Sequence, residues 1–299
     1  MEFNIQKLET CTGHKGSVFA LSEGLDPDTF FSSGEDGTVA LWNLNYPDLG
    51  TPIAQMSHSV YAMHTLIAQK VLVVAQNTSG IHFIDLESQT EIHRIALPLV
   101  SFFDIKKDGN RLFVSDSNGF LHIIDADNFS LLHSIRLSEK SARCMAIHPE
   151  KRQIAIGFSD FKVRVLDLDS FKLIRTIEAH SNSVFGLCYS DFGLLTVSRD
   201  AKIKLWDIDH NFLNLAEVPA HLYAINAIVK LDSMPFLITC SMDKSIKIWQ
   251  EEGLKLLKVI NKAKNAGHGT SINRLLWLPK KEILLSASDD RTISIWKLF

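Results

Sequence analysis

Residues 179–208 read AHSNSVFGLCYSDFGLLTVSRDAKIKLWDI. The stretch opens on a His, closes on a Trp-Asp pair and holds three short apolar runs between turn signals. Residues 184–190 alternate large and small side chains, 194–198 are aliphatic and β-branched, and 203–206 alternate with Lys202 and Lys204. Runs of this length and branching predict strands, because such side chains pack well on a pleated, half-buried surface. Asp200 and Ala201 sit in the tight link between the last two runs, so that link predicts a hairpin. The stretch reads as three antiparallel strands.

The same template recurs along the chain. Residues 13–43 begin GH and reach SSGEDGTVALWN, 220–250 begin AH and reach TCSMDKSIKIWQ, and 267–297 begin GH and reach SASDDRTISIWK. Weaker copies are VVAQNTSGIHFIDL (73–86), FVSDSNGFLHIIDA (113–126) and AIGFSDFKVRVLDL (155–168). The Trp or its apolar substitute stands at 42, 84, 124, 166, 206, 249 and 296, with spacings of 42, 40, 42, 40, 43 and 47. A period in that range predicts propeller blades. Seven copies at this period, four of them with an initial GH or AH and an Asp six residues before a Trp, resemble the WD40 β-propeller family. The resemblance covers essentially the whole chain. It implies an all-β, seven-bladed ring, residues 1–299 forming one domain, that acts as a docking platform and is rarely an enzyme.

Bulk properties agree with a folded, non-basic chain. Hydrophobic residues make up 46% and charged residues 22%, enough apolar side chain for a core and too little charge for disorder. The net charge of −3 gives no global reason to expect nucleic acid or an anionic membrane as partner. Cys11, Cys144, Cys188 and Cys240 show no CxxC spacing and read as small buried thiols rather than a disulfide framework. The N-terminal stretch MEFNIQKLETCTGH has no apolar leader, and no 18-residue apolar run occurs. A soluble, cytoplasmic protein is expected, monomeric as a propeller and working within a complex.

In the family each repeat supplies the outer strand of one blade and three inner strands of the next. The chain ends at SISIWKLF, a third strand without its outer neighbour, and 2–9 alternates with Phe3, Ile5 and Leu8 apolar. By that frame Phe3 to Glu9 pairs with Thr292 to Leu298 and closes the ring, removing two exposed edges. Two connections are longer than average, 45–51 with Pro47 and Gly50, and 261–267.

Ser or Thr, His, Asp and Trp recur as sets: His14, Ser32, Asp36, Trp42; His180, Thr196, Asp200, Trp206; His221, Thr239, Asp243, Trp249; and His268, Ser286, Asp290, Trp296. The family implies a buried chain from the Trp N–H through the hydroxyl and the His to the Asp. Four equivalent copies fit scaffolding better than one Ser-His-Asp active site. Blades 2, 3 and 4 have Ile84, Ile124 and Leu166 at the Trp position and Val74, Val114 and Ile156 at the hydroxyl position. Thr78, Asn118 and Asp160 stand at their Asp positions, and of the repeat-initial His only His58 survives. Apolar packing in place of the polar chain is expected there.

Alignment of the innermost strands gives the candidate binding residues. The residue after the first apolar position is Phe19, Tyr61, Phe103, Arg143, Phe185, Asn226 and Asn273. The residues before the turn Asp include Glu35, Arg199, Met242 and Asp289. In the family frame both sets ring the channel mouth on the top face. Four aromatics and two arginines there predict a surface for a protein or peptide partner. Arg143 and Arg199 suit an acidic or phosphorylated peptide, Glu35 and Asp289 a basic one, and the mixed signs favour neither. Lys262 and Lys264 read as a solvated loop.

Other classes find little support. No P-loop, HExxH, GxSxG or CxxC pair occurs, and no catalytic residue, metal or cofactor is expected. The alternative is an enzyme with a metal or small-molecule site in the central channel; for a metal Glu23, His64, Asp104 and His148 are the candidates, at non-equivalent positions. The pairs Lys106-Lys107 and Lys280-Lys281 are placed at turns on the opposite face, as solvated residues, so nucleic acid is not expected as a partner.

Overall fold

Each predicted run of alternating side chains is a strand, and the strands group in fours. The computed structural model describes residues 5–231 and 234–298. Seven antiparallel four-stranded sheets follow one another round a ring. The innermost strands are Val18–Glu23, Val60–Leu66, Phe102–Asp108, Ala142–His148, Val184–Ser190, Ile225–Lys230 and Ile272–Leu278.

The ring closes through the chain's two ends. Ile5–Cys11 is the outer strand of the seventh sheet and pairs antiparallel with Ile293–Leu298, with Ile5 opposite Leu298 and Cys11 opposite Ile293. Phe3, expected in this strand, lies outside the described residues. A blade is too thin to bury both faces by itself, so the apolar side chains meet between blades. One apolar cluster fills each interface between consecutive blades. Cys11, Val18, Phe30, Leu285 and Ile293 make the one that joins the last blade to the first.

The 45–51 connection is corrected by the structure: it lies almost wholly within the outer strand Tyr46–Gln55. Gly50 permits this, because a Cβ there would stand 2.6 Å from the Trp42 ring. The 261–267 connection contains a helical turn, Lys262–Asn265, capped by the Asn261 side chain on the Lys264 N–H. All four cysteines are free; three are buried and Cys188 is half-buried.

Candidate functional site

The site is built from two backbone features that every blade shares. In each inner strand the pairing register slips by one residue at the same place, producing a β-bulge. The bulged residues are Phe19, Tyr61, Phe103, Arg143, Phe185, Asn226 and Asn273. A bulge leaves its extra residue unpaired and re-aims the side chain. The second feature is a backbone hydrogen bond from the residue before the turn Asp to the residue before the inner strand. Examples are Glu35 N–H to Ser17 O, Arg199 N–H to Ser183 O and Asp289 N–H to Ser271 O, all between 2.8 and 3.0 Å. Together these bring the residues of both predicted sets to the end of the ring where the inner strands begin.

There the seven half-buried bulge residues form a collar. The Phe19 and Tyr61 rings lie 4.6 Å apart, and Tyr61 and Phe103 lie 6.1 Å apart. The Arg143 guanidinium is 3.8 Å from the Phe103 ring centre and 5.0 Å from that of Phe185. On the far side Asn226 donates to Ser271 Oγ and Ile272 O, and Asn273 donates to Val18 O and Asp289 Oδ1. Aromatic faces and a sandwiched Arg offer apolar area with a fixed cation, the means by which protein surfaces anchor a ligand. Arg199, Met242, Glu35 and Asp289 stand exposed around it.

One part of this face was missed in the sequence. Leu222 is 83% exposed and Tyr223 64%, on the same blade 6 as the expected rim residue Met242. The signal was present: after the repeat-initial His the other repeats place Lys, Ser or Gly, whereas this one reads HLYA.

The four polar sets hold the loops around the collar. In blade 5 Trp206 donates to Thr196 Oγ1 at 3.0 Å, Thr196 Oγ1 is 2.7 Å from His180 Nε2, and His180 Nδ1 is 2.9 Å from Asp200. The indole only donates and the carboxylate only accepts, so the proton sits on Nδ1 and the hydroxyl donates to Nε2. Blades 1, 6 and 7 repeat the arrangement. Each Asp also accepts amides from two loops at once, as Asp200 does from Ser181 and Lys202. Burial pushes the Asp200 carboxyl up, but the hydrogen bonds from His180 and from those two amides overcome it and hold the group well below the usual carboxylate range. Asp243 and Asp290 are held low in the same way.

Blades 2, 3 and 4 correct the expectation of purely apolar replacement. Val74 with Ile84, Val114 with Ile124, and Ile156 with Leu166 do pack in the blade interfaces. Two residues before each lost Trp, however, stands a cationic or titratable side chain: His82 on Glu91, His122 on Asp116 and Ser134, and Arg164 on Asp160. One polar residue at the same place within three strands otherwise apolar up to their terminal Asp, GIHFID, FLHIID and VRVLD, was the available signal.

Below the collar the channel opens into a cavity of about 670 Å³. Arg274 of blade 7 reaches across it to Asp104 of blade 3 at 3.1 Å, and the second Asp104 oxygen accepts Met145 N–H at 2.9 Å. Lys106 belongs to the inner strand, 3.7 Å from Asp104, rather than to a turn. Among the described residues no three His, Cys, Asp or Glu side chains are grouped so as to hold a metal ion. The Asp104 oxygens are already engaged by Arg274 and an amide, and Lys106 and Lys107 add positive charge beside His64.

That environment gives a pH prediction. Burial, with the Lys106 and Lys107 charges, pushes the His64 pKa down to about 4, and burial lowers His221 despite Asp243. The unfolded chain therefore binds protons at these groups below its own value of about 6.5, and stability rises with pH between about 4 and 6.5. The low carboxyls of Asp200, Asp243 and Asp290 add a further loss once the pH falls below about 4. The melting temperature is expected to fall from pH 7.5 to 4.5, and His64→Gln to flatten that slope. An equally steep slope in the variant would contradict the assignment.

With this geometry established, comparison with known proteins places the chain. The WD domain, G-beta repeat family matches residues 5–43, 171–207, 213–250 and 258–297, together just over half the chain. The chain belongs to the WD40 repeat family. The unmatched stretch 44–170 contains blades 2 and 3 and the three inner strands of blade 4, the blades that lack the Trp and hydroxyl of the polar set. The WD40 propeller of Doa1, a crystal structure, superposes with a TM-score of 0.84 at 19% identity, covering 98% of this chain and 97% of that one, which shows the shared fold. The nuclear distribution protein nudF of Aspergillus niger is 29% identical over 137 residues, 43% of this chain and 30% of that protein. The nuclear distribution protein PAC1 of Arthroderma otae is 29% identical over 132 residues, 39% of this chain and 28% of that protein. The matches thus span less than a third of these relatives. Among the described residues no helix is long and apolar enough to cross a membrane.

Proposed function

We propose that this WD40 propeller is a non-catalytic interaction scaffold, one domain over residues 1–299, that presents its top face to a peptide or protein partner. The observation that carries the reading is the collar: five consecutive blades place Phe19, Tyr61, Phe103, Arg143 and Phe185 on bulges, in mutual contact at the channel mouth. Side chains aimed at the core would join the clusters between blades; these do not. Leu222, Tyr223 and Met242 extend the surface over blade 6. The free, buried thiols accord with a reducing, cytoplasmic setting.

The test uses peptides selected on the whole chain from a random display library. Replacing Phe19, Tyr61 and Phe185 together by Ala is expected to abolish binding of the selected peptides while the protein still melts cooperatively. Unchanged binding by the folded triple variant would move the partner surface elsewhere.

A further inference from the structure

The sign of the charge that the collar accepts is open from sequence, because two acids and two arginines stand around it. The structure separates them by what they already hold. Glu35 accepts the Ser17 N–H at 3.0 Å, and Asp289 accepts the Asn273 amide at 2.8 Å. Both carboxylates are engaged in building the rim. Arg143 is half-buried between the faces of Phe103 and Phe185, and among the described residues nothing accepts its N–H groups. The side chains that act on it electrostatically are Cys144 and Tyr61, neither of them a carboxylate. Arginine does not lose its proton in proteins, so this is a permanent cation, partly desolvated and unmatched. Two rings hold the planar fork in place, so little freedom remains to be lost when an anion binds.

We propose that the channel mouth is a receptor for a glutamate or aspartate side chain of a partner peptide, its carboxylate paired with the Arg143 guanidinium. The proposal rests on the top-face reading above and specifies the chemistry of its ligand. A carboxylate matches the site better than a phosphate does. The other bulge residues are aromatic or Asn, so the collar itself offers one positive charge, whereas a phosphoserine brings close to two negative ones. Arg199 lies outside the collar, exposed.

Peptide arrays of randomised sequence with one fixed central residue, Glu, Gln, Lys or phosphoserine, are probed with the whole chain. Wild type is expected to bind the Glu array about tenfold more strongly than the Gln array, the usual scale for a charge-assisted pair. Arg143→Gln removes that preference, and Arg143→Lys, which keeps the charge and loses the fork, retains part of it. Should the Gln variant fail to melt cooperatively, the Lys variant carries the comparison. Equal binding of Glu and Gln by wild type, or a Glu preference that survives in the folded Arg143→Gln variant, overturns the proposal. Stronger retention on phosphoserine replaces the carboxylate by a phosphopeptide and overturns it too. The Phe19, Tyr61 and Phe185 triple variant separates the two readings. Undiminished binding by it refutes the top face, whereas its loss of binding with no Glu preference refutes only the role of Arg143.

Discussion

A chain lacking residues 1–11 is expected to melt about 10–20 °C below the whole protein. The strand Ile5–Cys11 buries Ile5 and Cys11 and completes the hydrogen-bond ladder of Ile293–Leu298. Two buried side chains and the freed backbone groups together stabilise the ring by about 5 kcal/mol. The position matters as much as the contacts. Cys11 sits in the cluster with Val18, Phe30, Leu285 and Ile293, the one that joins the last blade to the first. Without it the seventh blade presents an open edge, a site for pairing with other chains, so the truncated protein is also expected to aggregate. Differential scanning calorimetry with light scattering measures both effects. A truncated chain with the wild-type melting temperature would contradict closure by this strand.

Thr239→Val is expected to cost about 3–5 kcal/mol despite its nearly unchanged shape. Thr239 is fully buried, accepts the Trp249 N–H at 2.9 Å and lies 2.8 Å from His221 Nε2. Valine leaves both partners buried without a hydrogen bond, and an orphaned group costs more than the bond itself contributes. Replacing Trp249 by Phe in the same chain removes one of the orphans, so the double variant is expected to lose clearly less than the sum of the two singles. Urea unfolding of the three variants reports the coupling; strict additivity would mean that the set does not act as a connected chain. Blades 2 and 3 illustrate the same rule, because there the hydroxyl and the indole are both gone and Val-Ile pairs fill the space.

The fold was legible because its determinants recur. A Trp, an Asp six residues earlier and a His near the repeat start fix the register of four blades, and apolar runs at the same period place the other three. Closure was legible because one third strand lacked a partner and one N-terminal run had none. The site was legible only in part. Phe19 and its equivalents could be aligned, but not the bulge that turns them into a collar, because a one-residue slip in pairing depends on two strands and leaves no mark on either. The hydrogen bonds that hold Glu35 and Asp289 in the rim, and the seating of Arg143 between two rings, likewise need distances. His82, His122 and Arg164 went unread because each belongs to a blade that had lost the recurring residues. The 45–51 stretch was read as a connection because Pro47 and Gly50 are turn signals. Here Pro47 lies on an outer strand, where no further ladder is needed, and Gly50 makes room for Trp42.

The collar has its shape only if the seven wedges are locked in a closed circle. Hydrogen–deuterium exchange of the whole chain tests this most directly, at those amides of Ile5–Cys11 that face Ile293–Leu298. They are expected to be protected to the same level as the inner strands and to exchange only when the whole ring unfolds. Exchange at the rate of a free terminal segment would show the circle to be open.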